Sequence, residues 1–428
     1  SETMGFKANI ASNLINQVLR VLVGALTGVV VARVLGPRGQ GQVAYIILIF
    51  TLLGDYGSLG LNNAVMYFKK RGKLDTGHLF NVNLTALSLL SLAIGAVVLL
   101  LRATGLALTG YNYLYIFGGI VFVAADLYFS CFHSWYISDE RILESNKSII
   151  IVFFIKSAAI LLLWLLGWLT PASFFGVTVL SMLLNAVFLR AGLKQSFRPA
   201  FDLNLLKAEY AYGGVLWLGA VFAFLHYRVD QIMIKHILGV SELGVYTVAV
   251  NLAELMFLIP ISITPALLGR LYNTDDPAAA RRVMAQTFKL NLYVCVVLAA
   301  IGIPCSLLIP LFYGQAYAGA VYSTVVLLVG VVFASLAKVA APHFFTQGKP
   351  GFHLAATFLT LALNVVLNFI LIPLKGIGGA AIASTVSYLA YALFYLGLFL
   401  FREKFSLREL LILKAADIRG FWRNDEPS

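Results

Sequence analysis

The sequence predicts an all-α membrane protein of about twelve transmembrane helices. Of the 428 residues, 60% are hydrophobic and only 12% are charged, whereas soluble domains are about half apolar and a quarter charged. Apolar runs of roughly twenty residues recur along the whole chain, and each is long enough to cross about 30 Å of hydrocarbon as a helix. Because lipid offers the backbone no hydrogen-bond partners, such runs must be helical.

Glycine, proline and charged clusters divide the chain into twelve predicted spans. The first apolar segment, residues 10–34, is too long for the apolar region of a signal peptide, and we interpret it as a span. The predicted spans cover residues 8–34, 41–68, 78–101, 112–137, 146–168, 172–193, 209–238, 242–271, 285–311, 317–346, 351–373 and 377–401. The connections are short, so we expect no soluble domain.

The basic residues alternate between connections and predict the orientation. Most lie in the even-numbered connections and the C-terminal tail, and only five lie in the odd-numbered ones: Arg33, Arg38, Arg102, Lys235 and Lys375. Cytoplasmic loops carry the excess of Lys and Arg, so both termini are predicted to be cytoplasmic. This bias accounts for most of the formal net charge of +12, and a nucleic-acid partner is not expected.

A weak internal repeat predicts two six-helix bundles. Leu35-Gly36 aligns with Leu238-Gly239, and Gly41 with Gly244, at an offset of 203 residues. Since each half has an even number of spans, the repeat is expected to be parallel, with its axis along the membrane normal. The predicted parts are an N-terminal bundle at 1–197, an interfacial linker at 198–208, a C-terminal bundle at 209–402 and a cytoplasmic amphipathic tail at 403–428.

In the tail, Ser406 and Glu409 form a capping-box pattern, and the apolar residues after it are typical of a membrane-surface helix.

Eight ionisable residues lie within the predicted spans, where each costs several kcal/mol and indicates a function. The cations are Arg20, Lys156, Arg228 and Lys338, and the acids are Asp55, Asp126, Asp230 and Glu254. Arg228 has Asp230 as a neighbour on its own helix, and pairing between helices with Asp55, Asp126 or Glu254 remains open for the others. Arg and Lys suit phosphate or diphosphate, so the four cations predict an anion site in a central cavity between the two halves. The four acids are candidate ion-coupling residues.

Polar stripes at helical spacing form further candidate cavity faces. The stripe residues that we expect to contact sugar hydroxyls are Asn13, Asn16, Gln17, Asn251, Asn364 and Asn368. For any single asparagine, the alternative is a hydrogen bond that holds two helices together.

No catalytic motif is present in the sequence. It contains no GxSxG, HExxH, CxxC pair or Walker A motif, and GPRGQG at 36–41 lacks the strand that a nucleotide loop needs; it predicts a tight turn. The three cysteines, Cys131, Cys295 and Cys305, all lie in apolar segments, which argues against a disulfide framework and against a metal site.

Three stretches resemble the polysaccharide-transporter family, the Wzx-type flippases. They are VARVLGPRGQGQVAYIIL after the first span, HYRVDQIMIKHILGVSELGVYTVAVNLAE at 226–254, and LNVVLNFILIPLKGIGGAAIAS at 363–384. The resemblance implies membership of the MOP (multidrug/oligosaccharidyl-lipid/polysaccharide) exporter superfamily. It also implies a fold of two six-helix bundles around a central cavity that works by alternating access.

The expected function is transport of an undecaprenyl-diphosphate-linked oligosaccharide from the cytoplasmic to the outer leaflet of a bacterial or archaeal inner membrane. We expect no cofactor, with Na⁺ or H⁺ as candidate coupling ions, and other polysaccharide-assembly proteins as further partners. One alternative is a multidrug/cation antiporter of the same superfamily. The other is an intramembrane glycan polymerase or ligase, an enzyme class that usually carries a large outer loop, which this sequence lacks.

Overall fold

The computed structural model describes residues 2–70, 75–272, 276–347, 349 and 351–413, with the side chains from residue 19 onward except at a few positions. All regular structure within these ranges is helical. The helices are α1 (Glu2–Tyr56), α2 (Leu61–Lys70), α3 (Thr76–Ala103), α4 (Tyr113–Ser138), α5 (Ile142–Leu165), α6 (Pro171–Ala191), α7 (Leu203–Ile237), α8 (Val240–Glu254), α9 (Leu258–Tyr272), α10 (Pro277–Ser306), α11 (Ile309–Tyr313), α12 (Ala320–Thr346), α13 (Gly351–Gly397) and α14 (Leu407–Leu411). The prediction of an all-α protein is confirmed.

Two of these helices are too long to cross a bilayer once. The 55 residues of α1 would extend about 80 Å at 1.5 Å per residue. Each of the two contains one residue with non-helical backbone angles, Gly36 in α1 (φ 63°, ψ 175°) and Gly376 in α13 (φ 59°, ψ −145°). Positive φ is strained for residues with a Cβ, so glycine allows the chain to turn at these two points.

Nine helices of the described chain are long and apolar enough to span a membrane, and the bent pair in α7 makes ten. The sequence predicts about twelve. The difference arises because the stretches Leu19–Lys69 and Gly351–Arg402 each count once, although each contains a glycine turn. Division at Gly36 and Gly376 would give twelve spans, and that exact number stays a prediction.

The chain forms two compact units, Ser1–Leu218 and Gly219–Ser428. In the first unit, α4 is central and contacts α1, α2, α3, α5 and α6. In the second unit, α12 is central and contacts α8, α9, α10 and α13. The division between the units falls inside α7, whereas the sequence places a linker at 198–208, and the predicted domain boundaries stay a prediction.

Predicted spans two and seven are interrupted, and the same contact within the first unit explains both. A short turn separates α1 from α2, and α7 bends by 44° between Gly214 and Leu216. Gly60 (φ 97°) lies against Gly213: a Cβ on Gly213 would be 2.2 Å from the carbonyl oxygen of Gly60. Trp217 fixes the same junction by donating from Nε1 to the carbonyl of Tyr56 at 2.7 Å.

The two glycines that the repeat aligns have the same backbone conformation. Gly239, at the start of α8, has φ 101° and ψ 177°, close to the values at Gly36. At both positions a glycine with positive φ separates two helical segments. The tight turn predicted for GPRGQG is therefore present, and its counterpart recurs 203 residues later.

Candidate functional site

In the first unit, two of the predicted cations flank the contact between α1 and α5. The guanidinium carbon of Arg20 lies 5.5 Å from the centre of the Phe153 ring, and the ammonium nitrogen of Lys156 lies 5.8 Å from the centre of the Phe174 ring. Phe153 and Lys156 are three residues apart on α5 and so share one face. Gly24, one turn after Arg20, leaves room for Phe153 against α1, since a Cβ there would lie 3.7 Å from the ring.

No described carboxylate forms an ion pair with Arg20 or Lys156. Aromatic rings attract a cation through their quadrupole without cancelling its charge. The α1–α5 cation pair, Arg20 and Lys156, therefore keeps two positive charges available to an anion.

In the second unit, Arg228 is paired with Glu254. Its two terminal nitrogens donate to the two carboxylate oxygens at 2.8 Å each, and the side chains are 27% and 22% exposed. This bidentate geometry is the strongest that an Arg–carboxylate pair can adopt. The sequence offers Asp230 on α7 as the partner of Arg228, whereas the structure pairs Arg228 with Glu254 on α8.

Lys338 occupies an aromatic cage beside that ion pair. Its ammonium nitrogen lies 4.3 Å from the centre of the Tyr227 ring and 4.6 Å from that of Phe257. Glu254 and Arg228 are close enough for their charges to act on it. Phe257 belongs to the single turn of 3-10 helix between α8 and α9, so this irregular turn supplies one wall of the cage.

Asp230 joins three helices of the second unit. Its carboxylate accepts hydrogen bonds from Tyr246 Oη at 2.6 Å, Ser384 Oγ at 2.9 Å and the backbone N–H of Gln231 at 2.7 Å. The residue is buried, and three donors compensate a buried carboxylate well. With Glu254, it balances the formal charges of Arg228 and Lys338, so the α1–α5 cation pair is the more strongly positive of the two sites.

Asp55 and Asp126, both candidates for ion coupling, contact each other. Their side chains are close enough for the two carboxyl groups to act on each other. Asp126 on α4 is buried. It reaches α1 because Gly54 has no side chain: a Cβ at Gly54 would be 2.2 Å from Asp126 Oδ2. The two acids form a carboxyl pair between α1 and α4.

The two predicted asparagines of α13 form hydrogen bonds inside the second unit. Asn364 donates to the carbonyl of His226 and to Ser387 Oγ, each at 3.1 Å, and Asn368 donates to the carbonyl of Asn364 at 3.0 Å. Both are fully buried. The hydrogen bond from Asn364 to α7 favours the helix-joining alternative at that position, and sugar contact at both positions stays a prediction.

The remaining predicted polar residues lie elsewhere. Asn251 is exposed on the surface of the second unit. The side chains of Asn13, Asn16 and Gln17 lie outside the described residues. For all of them, sugar contact stays a prediction.

Two buried charged residues escaped the sequence analysis. Glu209 is fully buried and accepts a hydrogen bond from Asn83 Nδ2 at 2.9 Å. It was missed because it stands at the first position of the predicted span 209–238, where a charge is expected at the membrane surface, whereas α7 already begins at Leu203. Lys289, near the start of α10, is only 5% exposed. Its position four residues inside a predicted span was a signal that could have identified it.

A family model described as "Polysaccharide biosynthesis protein" matches residues 6–268, more than half of the chain, and a second, described as "MatE", matches residues 217–370. A candidate O-antigen transporter from Shigella flexneri is 23% identical over 217 residues. That alignment covers 50% of this chain and 52% of the relative, so it spans about half the length of the curated protein.

Solved structures of transporters share the fold. A lipid II flippase, MurJ, in an inward closed conformation superposes with a TM-score of 0.74 over 92% of this chain and 88% of its own, at 13% identity. An inward-facing multidrug resistance MATE family transporter of the MOP superfamily gives 0.60 at 15% identity, over 87% and 92%. A MOP superfamily transporter from Pyrococcus furiosus Vc1 gives 0.55 at 15% identity, over 89% and 92%.

The extent of the family match and the shared fold confirm the resemblance seen in the sequence. The chain belongs to the family described as "Polysaccharide biosynthesis protein", in agreement with its resemblance to the Wzx-type polysaccharide transporters.

Proposed function

We propose that this protein is a flippase for an undecaprenyl-diphosphate-linked oligosaccharide and moves it from the cytoplasmic to the outer leaflet of the cytoplasmic membrane. Membership of the polysaccharide biosynthesis family and the similarity to an O-antigen transporter support this substrate class. The observation that carries the proposal is the α1–α5 cation pair, because it offers two positive charges within the membrane without a carboxylate to neutralise them.

The physical task is to keep a polar headgroup solvated while it crosses hydrocarbon. Polar groups that lose water without gaining partners cost several kcal/mol each. Arg20 presents a planar fork that suits a phosphate oxygen pair, and Lys156 presents a compact charge. The lipid tail stays in the bilayer, and no covalent step is needed. An inside-negative potential favours outward movement of the anion by about 2.3 kcal/mol per charge per 100 mV.

Flipping of a labelled undecaprenyl-diphosphate sugar in proteoliposomes tests the proposal. We expect Arg20→Gln and Lys156→Gln each to lower the rate about tenfold, since a hydrogen bond to a charged group contributes about 1.5–3 kcal/mol. Lys147→Gln is the matched control, because Lys147 lies on the same helix but is exposed near its start. Equal rates in all three variants would refute the role of the cation pair.

The carboxyl pair of Asp55 and Asp126 is the proposed coupling site. Entry of a proton from outside onto this pair, followed by its release inside, would link a proton gradient to outward transport of the substrate. Asp126→Asn should retain flipping but lose its dependence on an imposed pH gradient. Glu254→Gln serves as the comparison, because Glu254 is already committed to Arg228. Gradient dependence that survives Asp126→Asn would exclude the pair.

A second function, export of cationic drugs, is favoured by the match of residues 217–370 to the MatE model. The α1–α5 cation pair opposes it, because a cationic drug would be repelled there. Energy-dependent efflux of a fluorescent cationic dye, lost in Asp126→Asn, would support this alternative over the flippase.

A further inference from the structure

Residues 198–209, which lead into α7, are attached to α3 through its side chains. Exposed or partly exposed contacts pair Arg198 with Asn81, Ala200 with Thr85, and Asp202 with His78. A further contact is buried: Asn83 Nδ2 donates to Glu209 Oε1 at 2.9 Å. Both of these residues are 0% exposed. The attachment therefore has a carboxyl group in its interior.

The amide of Asn83 has one favoured orientation. Its Nδ2 donates to the carbonyl of Leu79 at 2.9 Å as well as to Glu209, so both hydrogens of that nitrogen are used. The opposite orientation would bring the amide oxygen against the same two acceptors. Asn83 Oδ1 and Glu209 Oε2 therefore remain as two buried oxygens without a hydrogen-bond donor in the described chain.

No described cation forms an ion pair with Glu209. The titratable or charged groups that face this region from the neighbouring elements are Lys69, His78, Cys131, Arg190, Asp202 and Tyr210. Lys69 is paired with Asp139 at 2.6 Å, and Arg190 donates to two backbone carbonyls. Asp202 acts on Glu209 with a charge of the same sign. A carboxylate at Glu209 would thus lose its water without gaining a counter-charge, which is costly.

A single proton satisfies both bare oxygens. A carboxylic acid and an amide can form a cyclic pair with two hydrogen bonds, and the bond from Asn83 Nδ2 to Glu209 Oε1 is one of them. A proton on Glu209 Oε2 would donate the second bond to Asn83 Oδ1 and would remove the charge. We propose that Glu209 binds a proton, shares it with Asn83, and thereby fixes the first segment of α7, Leu203–Gly214, against α3.

Loss of this proton would leave a buried charge that only entering water could solvate, and the segment would separate from α3. The charge bias of the sequence places the connection before α7 on the cytoplasmic side, so the site responds to the cytoplasmic pH. It is separate from the carboxyl pair of Asp55 and Asp126 and does not depend on the proposed transport activity.

The reactivity of Cys131 in the purified full-length protein reports this separation. Cys131 is 0% exposed on α4, and Glu209 is close enough for its charge to act on the thiol. Alkylation of Cys131 by N-ethylmaleimide is measured by peptide mass spectrometry relative to that of Cys295, which is buried in the second unit. From about pH 6 to about 9 this ratio should rise by up to about tenfold per pH unit, the limit for one linked proton. Because a negative charge beside a thiol disfavours the thiolate, ionisation of Glu209 without separation would lower the ratio instead.

Glu209→Gln imitates the protonated acid, because its amide can donate to Asn83 Oδ1, and its ratio should stay low at every pH. Glu144→Gln is the matched control: it makes the same change at an exposed carboxylate of the same unit and should follow the parent. Infrared difference spectra between the two ends of the pH range give an independent readout. The parent and Glu144→Gln should lose the carbonyl band of a protonated carboxyl group as the pH rises, and Glu209→Gln should lack that change.

Each other outcome overturns the proposal. Equal pH dependence of the Cys131 ratio in the parent and in Glu209→Gln would do so, as would an infrared change that Glu209→Gln leaves intact. A high ratio at every pH in Glu209→Gln would contradict it as well, since the amide should replace the protonated acid. A ratio that responds to Na⁺ at constant pH, and not to pH, would assign the site to a metal cation and reject the proton.

Discussion

At the scale of single residues, the pairing of Arg228 with Glu254 changes what either residue can do. The bidentate contact commits both terminal nitrogens of Arg228 to Glu254 and balances its charge, so that the residue attracts a substrate phosphate less strongly. Lys338, held between two rings beside it, experiences the charge of the same carboxylate. Removal of Glu254 would therefore leave two neighbouring cations that repel each other in a partly buried site.

Glu254→Gln should accordingly destabilise the protein by about 2 kcal/mol, because breaking one side of a buried pair leaves the other charge uncompensated. Arg228→Met/Glu254→Gln should recover most of that loss, since it removes both charges. The melting temperature of each variant in one detergent measures the effect. If Arg228→Met/Glu254→Gln were as unstable as Glu254→Gln alone, the uncompensated charge of Arg228 would not be the cause of the destabilisation.

The residue types in the site were predictable, but their partners were not. Apolar surroundings mark Arg20, Lys156, Arg228 and Lys338 as unusual in the sequence alone. Which carboxylate meets which cation depends on how helices pack, and that is set by residues far apart in the chain. Asp55 and Asp126 were open as partners for a cation, yet they meet each other because Gly54 allows α1 and α4 to approach.

At the scale of helices, small residues determine how closely α1 and α4 pack. A Cβ on Gly119 of α4 would lie 1.9 Å from a carbon of the Phe50 ring, which is fully buried on α1. Glycine at helix contacts in membranes allows backbones to approach. Gly176 on α6, by contrast, has no atom within 4 Å of the position of its missing Cβ.

Replacement of these two glycines by alanine should change the stability of the protein in opposite directions. Gly119→Ala should cost about 1–3 kcal/mol through overpacking, whereas Gly176→Ala should gain about 0.5–1 kcal/mol by favouring the helix. Melting temperatures of the two variants against the parent test this directly. The packing explanation fails if Gly119→Ala is as well tolerated as Gly176→Ala.

The attachment of α14 predicts a pH dependence. The hydrogen bond from Arg281, aided by the backbone N–H of Ser406, lowers the pKa of Glu409 from its ordinary 4.5 to about 2. Because the folded-state pKa is lowered, the carboxylate stabilises the attachment fully above about pH 4.5 and loses this effect as the pH falls toward 2.

A spin label at Ile412→Cys, placed in a background without the native cysteines, would report this attachment. We expect constant low mobility between pH 7 and 4.5 and rising mobility below that range. Glu409→Gln should give a mobile label at every pH. A transition between pH 7 and 5 in the parent would contradict the assignment to Glu409.

Local sequence signals predicted the helices and their caps well. The differences between prediction and structure arise from contacts between residues that are distant in sequence. The capping box of Ser406 and Glu409 is confirmed, since Glu409 N–H donates to Ser406 Oγ and Ser406 N–H to Glu409 Oε2. The turn at residues 57–60 was missed because it depends on Gly213, about 150 positions away. Only the packed structure reveals such an approach of two backbones.

At the scale of the whole molecule, topology follows from the two glycine turns. If Gly36 and Gly376 each divide one long helix into two spans, the chain crosses the membrane twelve times and both termini share a side. If the stretch at Gly36 crosses once, the N-terminus lies on the side opposite to the basic connections. If the stretch at Gly376 crosses once, the basic C-terminal tail lies on that opposite side, against the rule that basic segments stay inside.

Labelling of single cysteines by an impermeant maleimide in intact cells, in a background without the native cysteines, distinguishes these topologies. Arg38→Cys and Lys375→Cys, each within two residues of a glycine turn, should react from outside. Lys194→Cys and Lys207→Cys should react only after the cells are opened, and they serve as matched controls because each also replaces an exposed cation.

A twelve-span chain requires both outer positions to react, because each turn must reach water for the helices on either side to be separate spans. Protection of Arg38→Cys in intact cells would show that α1 does not return at Gly36, and it would contradict both the twelve-span count and the placement of the two termini on one side.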